Sequence, residues 1–153
     1  MRRRYLRTRS GFTLIELLLV TGILALLAAF ALPKFYNQAK EAKINLAKTA
    51  VGRNGSIGKA LESYKWDMGA YPDTDEGLQA LFEAKSRDAD ERYKGPYIGG
   101  TYEELTDPWG NPFEYRCPGD VNEEGYDLWS IGPDSNDDGG KAGSDDIKNW
   151  IEK

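Results

Sequence analysis

The C-terminal part of the 153-residue chain carries a dense run of side chains with oxygen atoms, Asp134-Ser135-Asn136-Asp137-Asp138-Gly139-Gly140, followed by Asp145 and Asp146. This run fits D-x-[DN]-x-[DN]-G, the opening of an EF-hand type of calcium loop, and Asp145 falls at the twelfth position. Such a loop presents carboxylate, amide and carbonyl oxygens from alternate residues, which here are Asp134, Asn136, Asp138 and Gly140. The run therefore predicts a calcium site, and a solvated acidic turn is the alternative.

A second pattern with chemical meaning lies near the N-terminus, where Ser10-Gly11-Phe12-Thr13-Leu14-Ile15-Glu16 separates five arginines from an uncharged apolar run. In a secretory signal peptide, the small residues that mark the cut follow the apolar stretch, whereas Gly11 precedes it. Cleavage after Gly11 would leave the apolar segment on the mature chain, with a new amine on Phe12. Glu16 would lie about one helical turn from that amine, in a segment where an unpaired carboxylate is costly. An ordinary membrane anchor with Glu16 at the interface is the alternative.

The element that positions this junction is a membrane-spanning helix. Residues 12–32 have the length of ~20 residues that a helix needs to cross a bilayer. Arginines precede this stretch and none lies inside it, which places the N-terminus in the cytoplasm and the rest across the membrane. The chain thus divides into a leader at residues 1–11, a transmembrane helix at 12–32 and an amphipathic helix with a soluble domain at 33–153.

The soluble part is predicted to begin with a helix that continues past Pro33, with one apolar face made of Leu46, Ala50, Ile57, Leu61, Tyr64 and Met68. Glycines at 52, 55 and 58 weaken or bend this helix, because each costs up to ~1 kcal/mol relative to alanine. Residues 75–84 are predicted to form a short helix, and residues 85–106 an irregular connection. Residues 113–117 and 126–131 alternate like two strands of a hairpin.

Composition excludes several classes of function. The chain has no histidine and a single cysteine, Cys117, so it lacks the usual neutral-pH acid–base group and cannot form an internal disulfide. Its net charge of −5 becomes more negative once the leader arginines are removed. An acidic domain is a poor ligand for nucleic acid, whose phosphates bind clustered lysine and arginine. Nothing in the sequence indicates an enzyme.

The N-terminal junction resembles the class III signal of type IV pilins and type II secretion pseudopilins. Further blocks are similar to the major pseudopilins of type II secretion systems, in the same order along the chain: residues 64–72, 76–81, 95–97, 107–113 and 126–132. The resemblance implies an α+β pilin-like lollipop, a long N-terminal α-helix packed on a small antiparallel β-sheet with a C-terminal calcium loop. It also implies that prepilin peptidase cuts between Gly11 and Phe12 and that the Phe12 amine is methylated.

The resemblance implies roles for further residues and partners. Glu16 pairs with the Phe12 amine of a neighbouring copy, and calcium binds the Ile131 carbonyl, Asp134 and one or both of Asp145 and Asp146. Copies form a homopolymer, a periplasmic pseudopilus anchored in the bacterial inner membrane, together with minor pseudopilins and the inner-membrane secretion platform. A type IV pilus subunit for attachment or motility and a monomeric, membrane-tethered, calcium-dependent binding module are the alternatives.

Overall fold

The computed structural model describes residues 11–83 and 91–151. The chain separates into two compact units, one ending at Lys40 and the other beginning at Glu41. In the described residues, helix α1 spans Leu14–Val51 and helix α2 spans Ser56–Met68. Three strands follow, β1 at Glu114–Arg116, β2 at Asp127–Ser130 and β3 at Ile147–Lys148. The predicted combination of a long N-terminal helix and a small antiparallel sheet is confirmed.

The predicted weak point of the helix is a complete break, since α1 ends at Val51 and α2 begins at Ser56. The glycines are required there by close backbone approach. A Cβ on Gly55 would lie 2.1 Å from the Thr49 carbonyl oxygen, and one on Gly58 would lie 2.5 Å from that of Arg53. Pro33, in contrast, lies inside α1 without ending it.

The break also changes which face of α1 is buried. Ile57, Leu61 and Tyr64 of the predicted apolar face are buried, but Leu46 is 63% exposed. Ala47 and Val51 are buried instead. The prediction for Leu46 was wrong because it continued one helical period across residues 52–55, where the helix is interrupted and its phase is lost.

The three strands form one sheet in the order β1-β2-β3, with both pairs antiparallel. Glu114 pairs with Trp129, so the predicted hairpin is confirmed. On the other side of β2, Ser130 pairs with Ile147. All four residues of β2 are buried, as expected for a central strand covered on both faces. Strand β3 was not predicted, because two residues are too few to show alternation.

The core joins α1, α2 and the sheet to a short 3₁₀ helix at Gly77–Leu81. That helix lies inside the stretch predicted as helical, of which residue 84 falls outside the described residues. A second 3₁₀ turn, Tyr102–Glu104, lies in the predicted irregular connection. The core side chains include Ala47, Val51, Ile57, Leu61, Leu78, Leu81, Phe113, Leu128 and Ile147.

A buried carboxylate, Asp107, ties the turn before β1 to the central strand. Its Oδ1 accepts the backbone N–H groups of Trp109 and Asn111, both at 2.9 Å. Its Oδ2 accepts the Ser130 hydroxyl at 2.6 Å. Because Asp107 is only 4% exposed, its loss would leave several donors without an acceptor in a site that excludes water.

We expect Asp107→Ala to lower the free energy of unfolding by about 2–4 kcal/mol, because one unsatisfied buried group costs about 1–3 kcal/mol and three donors lose their acceptor. Urea unfolding of a fragment spanning residues 34–153 would measure it. Glu123→Ala is the control, since Glu123 is exposed and its removal should change stability by no more than about 0.5 kcal/mol. Equal stability of the two variants would contradict the role given to Asp107.

Candidate functional site

The acidic loop connects β2 to β3, so its two ends are held side by side by the sheet. Gly132, directly after Ile131, adopts a φ of +73°. A Cβ there would lie 2.5 Å from the carbonyl oxygen of Asp145. The backbone N–H of Asp134 donates to Asp145 Oδ2 at 3.2 Å. These contacts bring the first and last residues of the predicted calcium loop together.

Three aspartates converge in this loop. One carboxylate oxygen from each of Asp134, Asp138 and Asp145 lies within 4.8 Å of the others. Asp134 and Asp145 are exposed and Asp138 is half-buried. The ammonium of Lys148 lies at the same loop, where it donates to the carbonyl oxygen of Gly140 at 2.7 Å. The cluster therefore concentrates three carboxylates within 4.8 Å of one another.

The spacing of the three oxygens fits the size of a calcium ion. Ligands at about 2.3–2.6 Å from one ion lie at most about 5 Å from each other, and 4.8 Å is inside that limit. Asn136 lies between two of the aspartates. Its backbone N–H donates to Asp134 Oδ1 at 2.8 Å, and its side-chain nitrogen donates to Asp138 Oδ1 at 3.4 Å.

Two of the predicted ligand residues are placed differently. The carbonyl oxygen of Gly140 accepts the Lys148 ammonium at 2.7 Å, so it already has a cationic partner. Asp146 lies outside the group of three, and its Oδ2 accepts the backbone N–H of Gly140 at 2.7 Å. The sequence analysis did not predict this contact of Lys148. Lys148 is two residues after Asp146, and side chains at that spacing on an extended segment point to the same face.

Asp146 is a buried carboxylate with an unused oxygen. The residue is 7% exposed, and its Oδ1 has no hydrogen-bond partner. The pKa of Asp146 is raised above its usual value, chiefly by burial and then by the carboxylates of Asp137 and Asp138, while the backbone N–H groups of Gly140 and Asp138 act in the opposite direction. An uncompensated buried oxygen beside an acidic cluster is the kind of atom that a cation would satisfy.

Asp137 has a structural task in the same loop. Its Oδ1 accepts the indole N–H of Trp129 at 3.0 Å and the backbone N–H of Gly139 at 2.8 Å. The ring of Trp129 in turn packs edge-to-face on that of Trp150, with centroids 6.0 Å apart. Asp137 therefore fastens the loop to the sheet, and its oxygen is engaged away from the three clustered carboxylates.

The N-terminal segment forms a second candidate site. Helix α1 begins after Thr13, whose Oγ1 accepts the backbone N–H of Glu16 at 3.3 Å. Threonine before a helix and an acidic residue in its first turn both stabilise that end of the helix. Glu16 is exposed, and no described cation lies within ion-pair distance of it.

The N-terminal half of α1 exposes many large apolar side chains, whose contact with water is unfavourable. Leu14, Ile15 and Phe30 are each at least 74% exposed. This helix is the one stretch of the described residues that is long and apolar enough to cross a membrane. An uninterrupted apolar surface of this size indicates contact with lipid or with other apolar helices.

Comparison with known proteins identifies related families and folds. Residues 34–150 match the family model for type II secretion system (T2SS), protein G. Residues 6–32 match the prokaryotic N-terminal methylation motif.

The chain is similar to the type II secretion system core protein G of Pseudomonas aeruginosa, with 40% identity over 145 residues that cover 94% of this chain and 96% of that protein. The corresponding protein of Vibrio cholerae is 35% identical, covering 95% and 94% of the two chains. Among solved structures, the fold resembles the major pseudopilin from the type 2 secretion system of enterohaemorrhagic Escherichia coli. That match has a TM-score of 0.56 and 26% identity, over 75% of this chain and 92% of the other.

Proposed function

This chain belongs to the family of type II secretion system protein G, the major pseudopilins, and from that premise we propose how its residues build a pseudopilus. Copies polymerise through their apolar N-terminal helices into a periplasmic filament that helps to move folded proteins through the outer membrane. The observation that carries this proposal is the exposed apolar half of α1, which requires an apolar partner, together with the methylation motif at residues 6–32. Before assembly, the same surface anchors the chain in the inner membrane.

Deleting the gene and restoring it tests the role in secretion. We expect the deletion strain to retain its normally secreted proteins in the periplasm, and the intact chain to restore their release and to yield filaments containing this protein. A strain that secretes normally without the chain would contradict the proposal. Filaments on the cell surface that mediate attachment, with unchanged secretion, would favour a type IV pilus subunit instead.

Processing at the leader is the first proposed step. Prepilin peptidase cuts between Gly11 and Phe12, and the new Phe12 amine is methylated while keeping its charge. The match of residues 6–32 to the methylation motif supports this step. Gly11 is exposed, and no atom lies within 4 Å of the position that a Cβ would occupy there, so a side chain at this residue would leave the described fold intact.

We expect Gly11→Val to block cleavage and to leave the precursor in the membrane, because the added side chain affects only the fit to the peptidase. Intact-mass measurement of membrane-extracted protein would show the full chain in the variant and a chain beginning at methylated Phe12 in the wild type. Gly22→Val is the matched control, since Gly22 also has open space around it. A wild-type mass that still includes residue 1 would contradict the processing site.

In the filament, Glu16 is proposed to fix the register of neighbouring copies. Its carboxylate pairs with the Phe12 amine of the next subunit, where both charges are surrounded by apolar helices. Such a pair offsets the cost of burying each ion alone, whereas a shifted register leaves both unpaired. The absence of any described cation near Glu16 supports a partner from another copy.

Calcium is the proposed ligand of the acidic loop. Asp134, Asp138 and Asp145 fit the ion by the spacing of their oxygens, and the Ile131 carbonyl lies at the start of the same loop. Asp146 would complete the site through its unused Oδ1. When bound, calcium neutralises the clustered negative charge. The residues themselves close the loop through the contacts of Gly132, Asp137 and Lys148.

A further inference from the structure

Charge is unevenly distributed along the chain that remains after leader removal. Four lysines and a single acidic residue, Glu41, lie between positions 34 and 48, whereas residues 49–153 carry roughly two acidic residues for every basic one. The polymer proposed above therefore brings a basic helical segment of one copy near acidic surfaces of others. Complementary charges of this kind orient subunits and exclude wrong arrangements.

The lysines of α1 are available for such contacts. Lys34, Lys40 and Lys48 are exposed, and none of them lies within ion-pair distance of a described carboxylate. Lys43 is different, because its ammonium lies 6.0 Å from the centre of the Trp109 ring. Lys34 directly follows Pro33 at the end of the apolar stretch, whereas Lys40 and Lys48 lie farther along the helix, and no described carboxylate of the same subunit pairs with either of them.

An acidic groove on the soluble unit has the chemistry to receive a lysine side chain. It is an open cavity of about 280 Å³ between the two 3₁₀ helices, lined by Gln79, Phe82, Glu83, Tyr102 and Glu103. The Phe82 and Tyr102 rings meet edge-to-face, with centroids 6.1 Å apart. Carboxylates beside aromatic faces bind ammonium groups by charge and by cation–π attraction.

Glu103 is the carboxylate of this groove that makes no side-chain hydrogen bond or ion pair with the described part of the chain. The neighbouring Glu104 accepts the backbone N–H of Thr101 and caps the 3₁₀ turn, and Glu83 accepts the side-chain amide of Gln79. A second groove, near Glu123 and Glu124, already contains the cations Arg53 and Lys65. Among the described residues that line the groove at Glu83 and Glu103, none is a lysine or an arginine.

We propose that the groove formed by Phe82, Glu83, Tyr102 and Glu103 receives the lysines of α1, Lys40 and Lys48, from a second copy of this chain. The inference rests on the proposed polymerisation and names a contact within it. An isolated exposed ion pair contributes little stability. In a filament, however, a like-charge contact is repeated at every subunit, so a small penalty at each contact becomes a large loss of polymer.

The test is charge reversal with compensation in the full-length chain. We expect Glu83→Lys combined with Glu103→Lys to reduce the yield of filaments at least tenfold, with unchanged leader cleavage and unchanged amounts of subunit in the membrane. Adding Lys40→Glu and Lys48→Glu to the same chain should restore most of the yield, because the attraction is re-formed with opposite signs. Thermal unfolding of each variant as a 34–153 fragment verifies that the soluble domain is folded.

Glu123→Lys combined with Glu124→Lys is the matched control, since it reverses two exposed acidic residues in the groove that has its own cations. Normal filaments from the Glu83/Glu103 variant, an equal loss in the control, or no restoration by the lysine reversals would each overturn the inference. In all three cases wild-type filaments still form, so the proposed function stands. Absence of filaments from the wild type would overturn both.

Discussion

Replacing Glu16 with alanine is expected to abolish filament formation while leaving membrane insertion intact. Removing one partner of an ion pair in apolar surroundings leaves the other charge buried alone, which costs about 3–5 kcal/mol. Since 1.4 kcal/mol is a tenfold change in an equilibrium constant, the loss of polymer should exceed a hundredfold. Insertion should be unaffected, because alanine makes the membrane-spanning segment more apolar.

Two further substitutions separate the charge of Glu16 from its other effects. Glu16→Gln keeps the size of the side chain and removes its charge, so we expect it to fail in assembly as Glu16→Ala does. Glu41→Ala removes an exposed glutamate from the same helix, beyond the apolar stretch, and should assemble normally. The measurement is the amount of polymer sheared from cells relative to subunit in the membrane. Normal polymer from Glu16→Gln would show that the charge is dispensable.

Sequence reasoning was most successful where local chemistry determines the structure by itself. The helix break between Val51 and Ser56 was predictable because glycines at 52, 55 and 58 lower helix stability whatever surrounds them. The hairpin of β1 and β2 was predictable because alternating residues flank a polar turn. Asp134, Asp138 and Asp145 were predictable as neighbours because loop spacing alone brings their carboxylates together.

The remaining features depend on contacts between residues that are distant in sequence. Leu46 was assigned to the buried face, but the break places Ala47 and Val51 there instead. Strand β3 exists because β2 offers it a partner, and pairing of Ser130 with Ile147 is invisible to local periodicity. The same pairing places the Lys148 ammonium against the Gly140 carbonyl oxygen, a contact that the loop spacing did not predict.

Calcium is expected to raise the melting temperature of a 34–153 fragment by roughly 10 °C, and chelator to reverse the increase. Binding to the folded state alone adds about 2.7 kcal/mol when the free ion exceeds the dissociation constant a hundredfold. For a domain of this size each kcal/mol corresponds to several degrees. The physical reason is that the carboxylates of Asp134, Asp138 and Asp145 repel one another across at most 4.8 Å until a cation lies among them.

Isosteric asparagine variants identify the ligands within this acidic loop. We expect Asp134→Asn, Asp138→Asn and Asp145→Asn to lose most of the calcium-dependent increase, because each keeps the side-chain shape and removes a charge. Asp137→Asn should retain the increase, since the Asp137 oxygen contacts the Trp129 indole and the Gly139 N–H. Asp146→Asn decides whether the buried Oδ1 binds the ion: a lost calcium effect would include it, and a retained one would leave the site to the other three. Equal melting temperatures of the unsubstituted fragment with calcium and with chelator would refute the site, because an ion that binds among these carboxylates in the folded state must raise the melting temperature.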